Sequence, residues 1–225
     1  PALAQEPSRS STSADDWNGK AFRGQVDVTA GPDADQDVLD GAVFDDRNRN
    51  SQQDPGERGI AGVEVSNGRE IVTTDRQGRY EISVRDGETV FLTQPAGYQV
   101  PVDVDNVAQF FYTHMPAGSP ELRYGGIDPT GPLPDAVDFP LARTTDTLSR
   151  DQRCLIGGDI QTYTQEEVDY ALRGAFADLA QRTDFTGCGA LFIGDIVGDD
   201  LDLYDQTREL TSLLNGPARF LPGNH

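Results

Sequence analysis

The chain has 225 residues, which is enough for one large domain or two small ones. Its 38 acidic and 18 basic residues give a net charge of −20, and such a surface repels phosphate backbones, so we expect no nucleic-acid partner. No apolar run of about 18 residues occurs, so we expect no membrane span.

The first 20 residues are rich in Ser, Asp and Pro and contain one aromatic residue. Such a stretch buries too little apolar surface to fold, so residues 1–20 are predicted to be a disordered tail. Ala2 and Ala4 have the small-x-small spacing of a signal-peptide cleavage site. That pattern favours a secreted, periplasmic or envelope-associated protein, and an alanine-rich terminus without this meaning is the alternative.

Residues 21–141 have the pattern of β structure throughout. Short β-rich runs are separated by Asn-Gly, Gln-Gly and Asp-Gly turns, which predicts an antiparallel β-sandwich that serves as an accessory domain. The clearest predicted strands are residues 63–65, 71–74, 80–84 and 89–93. A polar stretch at residues 142–152 is the predicted linker to a second domain.

One loop in this region, residues 46–57, has the oxygen spacing of an EF-hand-type calcium loop. Its oxygen-bearing side chains occupy loop positions one, three, five, nine and twelve, with Ser51 where glycine is usual. The candidate calcium ligands are Asp46, Asn48, Asn50, Asp54 and Glu57. No paired helices flank the loop, so we expect a structural calcium ion. An acidic turn without an ion is the alternative.

The sequence around the loop carries a resemblance to known families. Residues 43–50, 59–63 and 74–80 resemble the calcium-binding B-type repeats of bacterial surface adhesins. They are similar also to the sandwich domain that precedes some secreted calcineurin-like phosphoesterases. The resemblance covers roughly residues 41–95.

From residue 153 to residue 225 the period of the apolar pattern changes. Strands are predicted at residues 153–158, 190–193 and 218–221, with helices that start after Thr164 and near Leu201. This β-α-β-α-β order predicts a parallel sheet. Cys154 and Cys188 each precede a predicted strand, so they form either a disulfide in an oxidising compartment or two buried thiols.

Each of these strands runs into a tight turn with polar residues, namely Asp159 and Gln161, then Asp195, then Asn224 and His225. Open α/β sheets place their chemistry at the carboxyl ends of the strands, so the three turns are expected to form one site. They resemble the first three signature blocks of the calcineurin-like metallophosphoesterases. The chain as a whole is therefore predicted to combine a β-sandwich with the first part of a calcineurin-like α/β domain.

The resemblance implies a hydrolase with two divalent metal ions that acts on small phosphate mono- or diesters. Asp195 matches the carboxylate that bridges both metals. Asp159 and Gln161 match ligands of the first metal, and Asn224 matches a ligand of the second. His225 matches the residue that acts near the leaving oxygen as a general acid or hydrogen-bond donor.

Two departures from the family pattern refine this expectation. Most of the family has histidine where Gln161 stands, and an amide oxygen shifts the preference toward manganese or magnesium over iron or zinc. The same variant is similar to that of diphosphatases that act on nucleotide-like substrates. Asp199 and Asp200 stand one place later than the family's acidic pair, so we expect them to be loop or cap residues.

The family pattern also requires further histidines after the block that ends at His225. Right-handed crossovers place both helices on one face of the sheet, which leaves the other face uncovered. The expectation is therefore that this chain carries half of the site and is inactive by itself. The alternative function is a calcium-stapled cell-surface or adhesion module with a non-catalytic phosphoesterase-like domain. The sequence predicts no oligomeric state.

Overall fold

The computed structural model describes residues 17–31, 37–121 and 126–224. The described part of the chain is built mainly from β sheets, with few helices. The elements up to residue 143 are α1 (Trp17–Lys20), β1 (Asp27–Thr29), β2 (Val38–Asp45), β3 (Glu64–Ser66), β4 (Ile71–Thr73), β5 (Arg79–Ser83), β6 (Thr89–Leu92), β7 (Tyr98–Gln99), β8 (Phe111–Thr113) and β9 (Ala136–Arg143).

These strands form two sheets. One has the order β1-β9-β2-β5, with β7 also paired to β9, and the other has the order β4-β3-β6-β8. Strand β5 shows why the chain folds this way, because Tyr80 and Ile82 are buried while their neighbours are exposed. Such alternation gives a strand one apolar face. One hydrophobic cluster contains side chains from both sheets, among them Val43, Ile82 and Phe139 from the first and Val65 and Val90 from the second.

The pairing of β2 with β9 departs from the predicted antiparallel arrangement. These two strands are parallel, with Val43 opposite Phe139 and Asp45 opposite Leu141. A parallel pair requires a long crossover connection, and here the whole of the second sheet lies between the two strands in the chain. The first sheet is therefore mixed.

The second part of the described chain contains a parallel sheet with helices between its strands. Its elements are β10 (Leu155–Gly157), α2 (Gln165–Arg173), α3 (Ala175–Leu179), β11 (Ala190–Ile193), a 3₁₀ turn (Leu201–Leu203), α4 (Tyr204–Ser212) and β12 (Ala218–Leu221). The strand order is β10-β11-β12, and both pairs are parallel. The hydroxyl of Thr164 caps α2 by accepting the N–H of Glu167, and Gly174 separates α2 from α3.

The helices cover one face of this sheet. Phe192 and Ala218 on the strands pack in one cluster with Phe176 after α2 and Leu210 on α4. The side chains that alternate with these along β10 and β11 point the other way, and Ile156 and Ile193 are 56% and 51% exposed. No helix in the described part of the chain is long and apolar enough to cross a membrane.

Cys154 and Cys188 form a disulfide, with their Cα atoms 5.1 Å apart. Each cysteine stands just before a strand, and Leu155 of β10 is paired with Ala190 of β11. The disulfide therefore joins the starts of two neighbouring strands, at the end of the sheet opposite to the predicted site.

Residues 17–20, predicted as part of the tail, form helix α1 instead. Trp17 is buried and packs against Ala21 and Val102. A tryptophan removes a large apolar area from water, which is enough to order a short segment. The rest of the predicted tail, residues 1–16, lies outside the described residues.

The predicted linker also begins in ordered structure. Strand β9 continues through Ala142 and Arg143, which pair with Gln99 and Tyr98. The Thr147 hydroxyl then accepts the N–H of Gly97 and donates to the carbonyl of Tyr98. The chain between the two parts is thus tied to the first sheet by hydrogen bonds of its backbone and side chains.

The two parts of the molecule meet where residues 103–108 lie along β12. The N–H of Ala218 donates to Asn106 and the N–H of Ala108 donates to Ala218, at 2.7 and 2.9 Å. The side chain of Arg219 crosses the same junction, where it donates to Gln94 and lies over the ring of Phe110. Burial lowers the pKa of Arg219.

Asn106 is the most enclosed polar residue of this junction, with no exposed surface. Its side-chain nitrogen lies 2.9–3.1 Å from the carbonyl oxygens of Thr211, Ser212 and Leu214, at the end of α4. The last carbonyls of a helix lack partners within the helix. Asn106 therefore caps a helix of the second part with a side chain from the first.

Candidate functional site

The carboxyl ends of β10, β11 and β12 lie at one edge of the parallel sheet. The register pairs Gly157 with Phe192 and Ile193 with Leu221. The segments that follow these strands remain adjacent beyond the sheet, because Thr162 bridges to Val197 in parallel. The turns that carry the predicted ligands are therefore neighbours in space.

Asp195 occupies the centre of this edge. Its backbone carbonyl accepts the N–H of Gln161 at 2.8 Å, and its Oδ1 accepts the N–H of Asn224 at 2.8 Å. One residue thus contacts the turns on both sides. The structure brings Gln161, Asp195 and Asn224 together in this way, and it places Asp159 two residues after the end of β10.

Three residues at this edge adopt the left-handed backbone region, although none of them is glycine. Their φ angles are 52° at Asp159, 44° at Gln161 and 49° at Asp195. A left-handed conformation costs roughly 1–2 kcal/mol for an ordinary L-residue, and such outliers cluster at functional sites. Asp159 and Gln161 lie on the turn after β10 and Asp195 lies on the turn after β11, so these conformations fall on neighbouring turns of one edge.

Gly223 is a site residue that the sequence reasoning assigned no role. A Cβ atom at this position would overlap Oδ1 of Asp195. Gly194 is similar, since its φ is 103° and a Cβ there would lie 2.9 Å from the Cα of Gly223. The glycines therefore allow the turn after β12 to approach the central carboxylate closely. Their position in the Gly-Asp and Gly-Asn pairs is the signal that could have indicated this.

Tyr163 is a second residue that sequence reasoning missed. Its hydroxyl accepts a hydrogen bond from Nε2 of Gln161 at 3.1 Å, and its ring lies close to Gly198. This hydrogen bond uses the amide nitrogen of Gln161, so the amide oxygen is the atom that the side chain retains for a cation. The Gln-x-Tyr spacing after a strand gives no signal for this contact by itself.

The donor atoms at this edge fit a hard divalent cation. The predicted ligands are the carboxylates of Asp159 and Asp195 and the amides of Gln161 and Asn224, and carboxylate and amide oxygens are ligand atoms that magnesium and manganese accept. No group of three or more His, Cys, Asp or Glu side chains is placed to hold a metal ion in the part of the chain that the structure describes. The four predicted metal ligands include only two acidic residues, Asp159 and Asp195, and the other two are amides. His225 lies outside the described residues.

The acidic residues at the two ends of the predicted calcium loop accept hydrogen bonds from the loop backbone. The carboxylate of Asp46 accepts the N–H groups of Arg49 and Ser51 at 2.6 and 2.8 Å. The two oxygens of Glu57 accept the N–H groups of Arg47 and Asp54. The carboxylates of Asp46 and Glu57 are therefore both directed toward the backbone N–H groups of the residues between them.

The middle ligands of this loop converge. The side-chain nitrogens of Asn48 and Asn50 lie 2.6 and 2.9 Å from Oδ2 of Asp54. Ser51, at the position where EF-hand loops have glycine, has a φ of 67°, so the backbone makes the turn that glycine usually makes. The side chains of three predicted calcium ligands are therefore linked by hydrogen bonds in which the two amides donate to the carboxylate of Asp54.

Comparison with known families identifies the region around this loop. Residues 47–124 match the family model described as the N terminal of calcineurin-like phosphoesterase. The matched residues are therefore similar to that N-terminal domain, and they make up less than half of the chain. No curated protein matches the chain.

The residues that match the family model do not include all strands of the first sheet. Strands β2 and β9, which pair along the middle of the first sheet, lie on either side of the matched residues. The folded unit therefore extends beyond residues 47–124 in both directions. The match supports the expectation that this chain is related to hydrolytic enzymes of the phosphoesterase family.

Proposed function

We propose that this protein is a metal-dependent phosphoesterase that hydrolyses phosphate mono- or diesters, including nucleotide-like diphosphates, at the carboxyl ends of β10, β11 and β12. The observation that carries the proposal is the left-handed backbone at Asp159, Gln161 and Asp195. Two of these residues lie on the turn after β10 and one on the turn after β11, and both turns present oxygen donors at the same edge as Asn224 after β12. The family match of residues 47–124 gives independent support.

Each residue at the edge has a proposed role. Asp195, which contacts both neighbouring turns, would be the carboxylate shared by two metal positions. Asp159 and Gln161 would hold the first metal, and Asn224 would hold the second through its amide oxygen. His225 donates a proton or a hydrogen bond to the leaving oxygen.

Bound divalent ions neutralise the charge on a phosphoryl group and provide a nucleophile at neutral pH. The protein residues orient that chemistry. The Asn224 N–H fixes one oxygen of Asp195, and the Tyr163 hydroxyl fixes the amide of Gln161 by holding its nitrogen. Both contacts aim the remaining oxygen atoms before any ligand arrives. All four donors are oxygens, so manganese or magnesium is the proposed metal.

The test is manganese-stimulated hydrolysis of a bis(4-nitrophenyl) phosphate substrate by the intact protein. We expect Asp195→Ala to reduce kcat/KM by about 100-fold or more, because the change removes a ligand shared by both metal positions. Asp199→Ala is the matched control, since Asp199 is an exposed acidic residue four positions further along the chain. Equal activity of the two variants would refute the assignment.

We also propose a structural calcium ion in the loop of residues 46–57. The spacing of five oxygen-bearing side chains at loop positions one, three, five, nine and twelve supports it, because calcium takes about six to eight oxygen ligands. This site is the basis of the alternative function, a calcium-stapled surface module without catalysis. That function is favoured if calcium stabilises the protein while the hydrolysis assay shows no dependence on Asp195.

The proposed location is secreted, periplasmic or attached to the cell envelope. The disulfide between Cys154 and Cys188 supports this location, because disulfides persist mainly in oxidising compartments.

A further inference from the structure

A cavity of about 280 Å³ lies at the junction between the two parts of the molecule. Its walls come from the segment between β7 and β8, from the turn after β11, from α4 and from the end of β12. The lining residues are Asp103, Val107, Ile196, Tyr204, Thr207, Arg208, Phe220, Leu221 and Pro222.

The cavity adjoins the candidate metal edge through the chain itself. Ile196 directly follows Asp195, the central carboxylate, and Pro222 directly precedes Gly223, which packs against that carboxylate. The cavity wall and the candidate metal edge are therefore formed by consecutive residues on two neighbouring turns.

The charges on the cavity wall are compensated. Nη2 of Arg208 lies 3.0 Å from a carboxylate oxygen of Asp103 and 3.0 Å from one of Asp105. One cation faces two anions, so the wall does not favour a phosphate group. The remaining surface is dominated by apolar and aromatic side chains such as Val107, Ile196 and Phe220.

The ring of Phe220 is fixed at this wall. It stacks on Phe192 with ring centroids 5.0 Å apart and still exposes 37% of its surface. Tyr204, the first residue of α4, is 40% exposed on the same cavity. Two partly exposed aromatic rings beside a concave apolar surface are typical of small-molecule pockets.

We propose that this cavity binds the neutral organic group, aromatic or short aliphatic, of the phosphate ester whose phosphoryl group is held at the strand ends. The part of this proposal that concerns the phosphoryl group rests on the proposed phosphoesterase function. An apolar cavity of roughly 150 Å³ accommodates benzene, so the volume here is sufficient for one substituted ring. The selectivity of the enzyme for its leaving group then depends on residues of both parts of the molecule.

The experiment is a titration of the 225-residue chain with benzyl alcohol, followed by two-dimensional NMR without added manganese or magnesium. Benzyl alcohol is neutral, so it reports on the cavity and not on the metal edge. We expect saturable shifts of the amide signals of Ile196, Thr207 and Phe220. Tyr204→Asp, which places a charge at the cavity, is expected to weaken binding by about tenfold or more, because the contact with the tyrosine ring is lost and the wall is no longer apolar there.

Tyr170→Asp is the matched control, because Tyr170 is an exposed tyrosine on α2 that does not line the cavity. It is expected to bind benzyl alcohol like the wild type. Tyr204→Leu keeps the wall apolar and is expected to retain binding, which separates the loss of the apolar surface from a general effect of substitution at this position.

Absence of saturable binding, or equal weakening by Tyr204→Asp and Tyr170→Asp, would overturn the cavity proposal. Inorganic phosphate is the second probe, and displacement of benzyl alcohol by phosphate would also overturn it. Because no catalytic metal is present, failure here leaves metal binding at Asp195 unaffected. Conversely, loss of the metal assignment would leave saturable benzyl alcohol binding in place.

Discussion

Substitution of Asn106 tests whether the two parts of the molecule fold as a unit. The side-chain nitrogen of Asn106 faces three carbonyls of α4 and its C-terminal turn, but it has only two hydrogens to donate. Its φ of 65° adds a second effect, because alanine tolerates the left-handed region less well than asparagine. We therefore consider Asn106→Ala and Asn106→Gly together.

The expected loss can be worked out from these contacts. Two net hydrogen bonds contribute about 0.5–1.5 kcal/mol each, and left-handed backbone costs alanine roughly 1 kcal/mol. Against this, Oδ1 of Asn106 is buried without a hydrogen-bond partner, and its removal returns about 1 kcal/mol. The net destabilisation expected for Asn106→Ala is about 1–3 kcal/mol, and Asn106→Gly is expected to lose about 1 kcal/mol less because glycine adopts this φ freely.

The assay is urea denaturation followed by two signals. The fluorescence of Trp17, the single tryptophan, reports on the first part, and the far-ultraviolet circular dichroism reports mainly on the helices of the second. We expect coincident transitions in the wild type and separated transitions in Asn106→Ala. Asn215→Ala is the control, because Asn215 donates in the same way to Ala180 and Arg182 within the second part.

Two results would refute the reasoning about Asn106. One is a change in unfolding free energy smaller than about 0.5 kcal/mol, the level typical of surface substitutions. The other is separation of the two transitions by Asn215→Ala to the same extent as by Asn106→Ala, since the junction would then have no special role.

Three further predictions concern the disulfide, the calcium loop and a buried carboxylate. Reduction of the Cys154–Cys188 disulfide, whose cysteines are 34 positions apart, is expected to lower the free energy of unfolding by about 2–4 kcal/mol. Urea denaturation with and without reductant measures this difference, and the stability of the double serine variant should not change with reductant. EGTA is expected to lower the midpoint of thermal unfolding of the wild type but not of Asp54→Ala, because calcium at 100 times its Kd adds about 2.7 kcal/mol to the stability. Equal midpoints of the wild type with and without EGTA would exclude a structural calcium ion. Burial, together with Asp27 on the paired strand, raises the pKa of Asp138. The folded state therefore holds this proton more tightly, and stability is lost as pH rises through the raised pKa. Asp138→Asn should stabilise the protein by about 0.2–1 kcal/mol at pH 7 and by nothing near pH 3, and a gain that persists at the lower pH would contradict the cause.

Local patterns were sufficient to predict many of the elements. Residues 80–84 alternate in polarity and the structure has β5 at Arg79–Ser83, while the apolar run at residues 190–193 coincides with β11. Thr164 and Glu167 predicted the start of α2, because a cap depends only on residues within one turn. Signals of this kind are contained in a few consecutive residues.

Long-range partners could not be predicted in the same way. The parallel pairing of β2 with β9 and the contact of Asn106 with α4 join residues that are about a hundred positions apart. Nothing in the local sequence of either segment encodes the other. The prediction of a disordered tail at residues 17–20 was wrong for the same reason, because the burial of Trp17 depends on Val102.

The candidate site was partly predictable because parallel strands bring their carboxyl ends to one edge. The proximity of Gln161, Asp195 and Asn224 follows from that rule. The left-handed backbone of Asp159, the hydroxyl contact of Tyr163 and the close approach of Gly223 do not follow from it, because they depend on how the turns pack against each other. These features are visible only in the folded chain.

Manganese binding at the strand ends is the most direct test of the proposed function. Manganese is paramagnetic, so it broadens the NMR signals of amides close to it, and its placement can be compared in the wild type, Asp195→Asn and the control Asp199→Asn. The control is needed because a net charge of −20 attracts cations to the whole surface. We predict selective broadening at Gln161, Asp195 and Asn224 that is lost in Asp195→Asn and retained in Asp199→Asn. Broadening that is spread over the acidic surface, or that is unchanged in Asp195→Asn, would contradict a metal site at this edge.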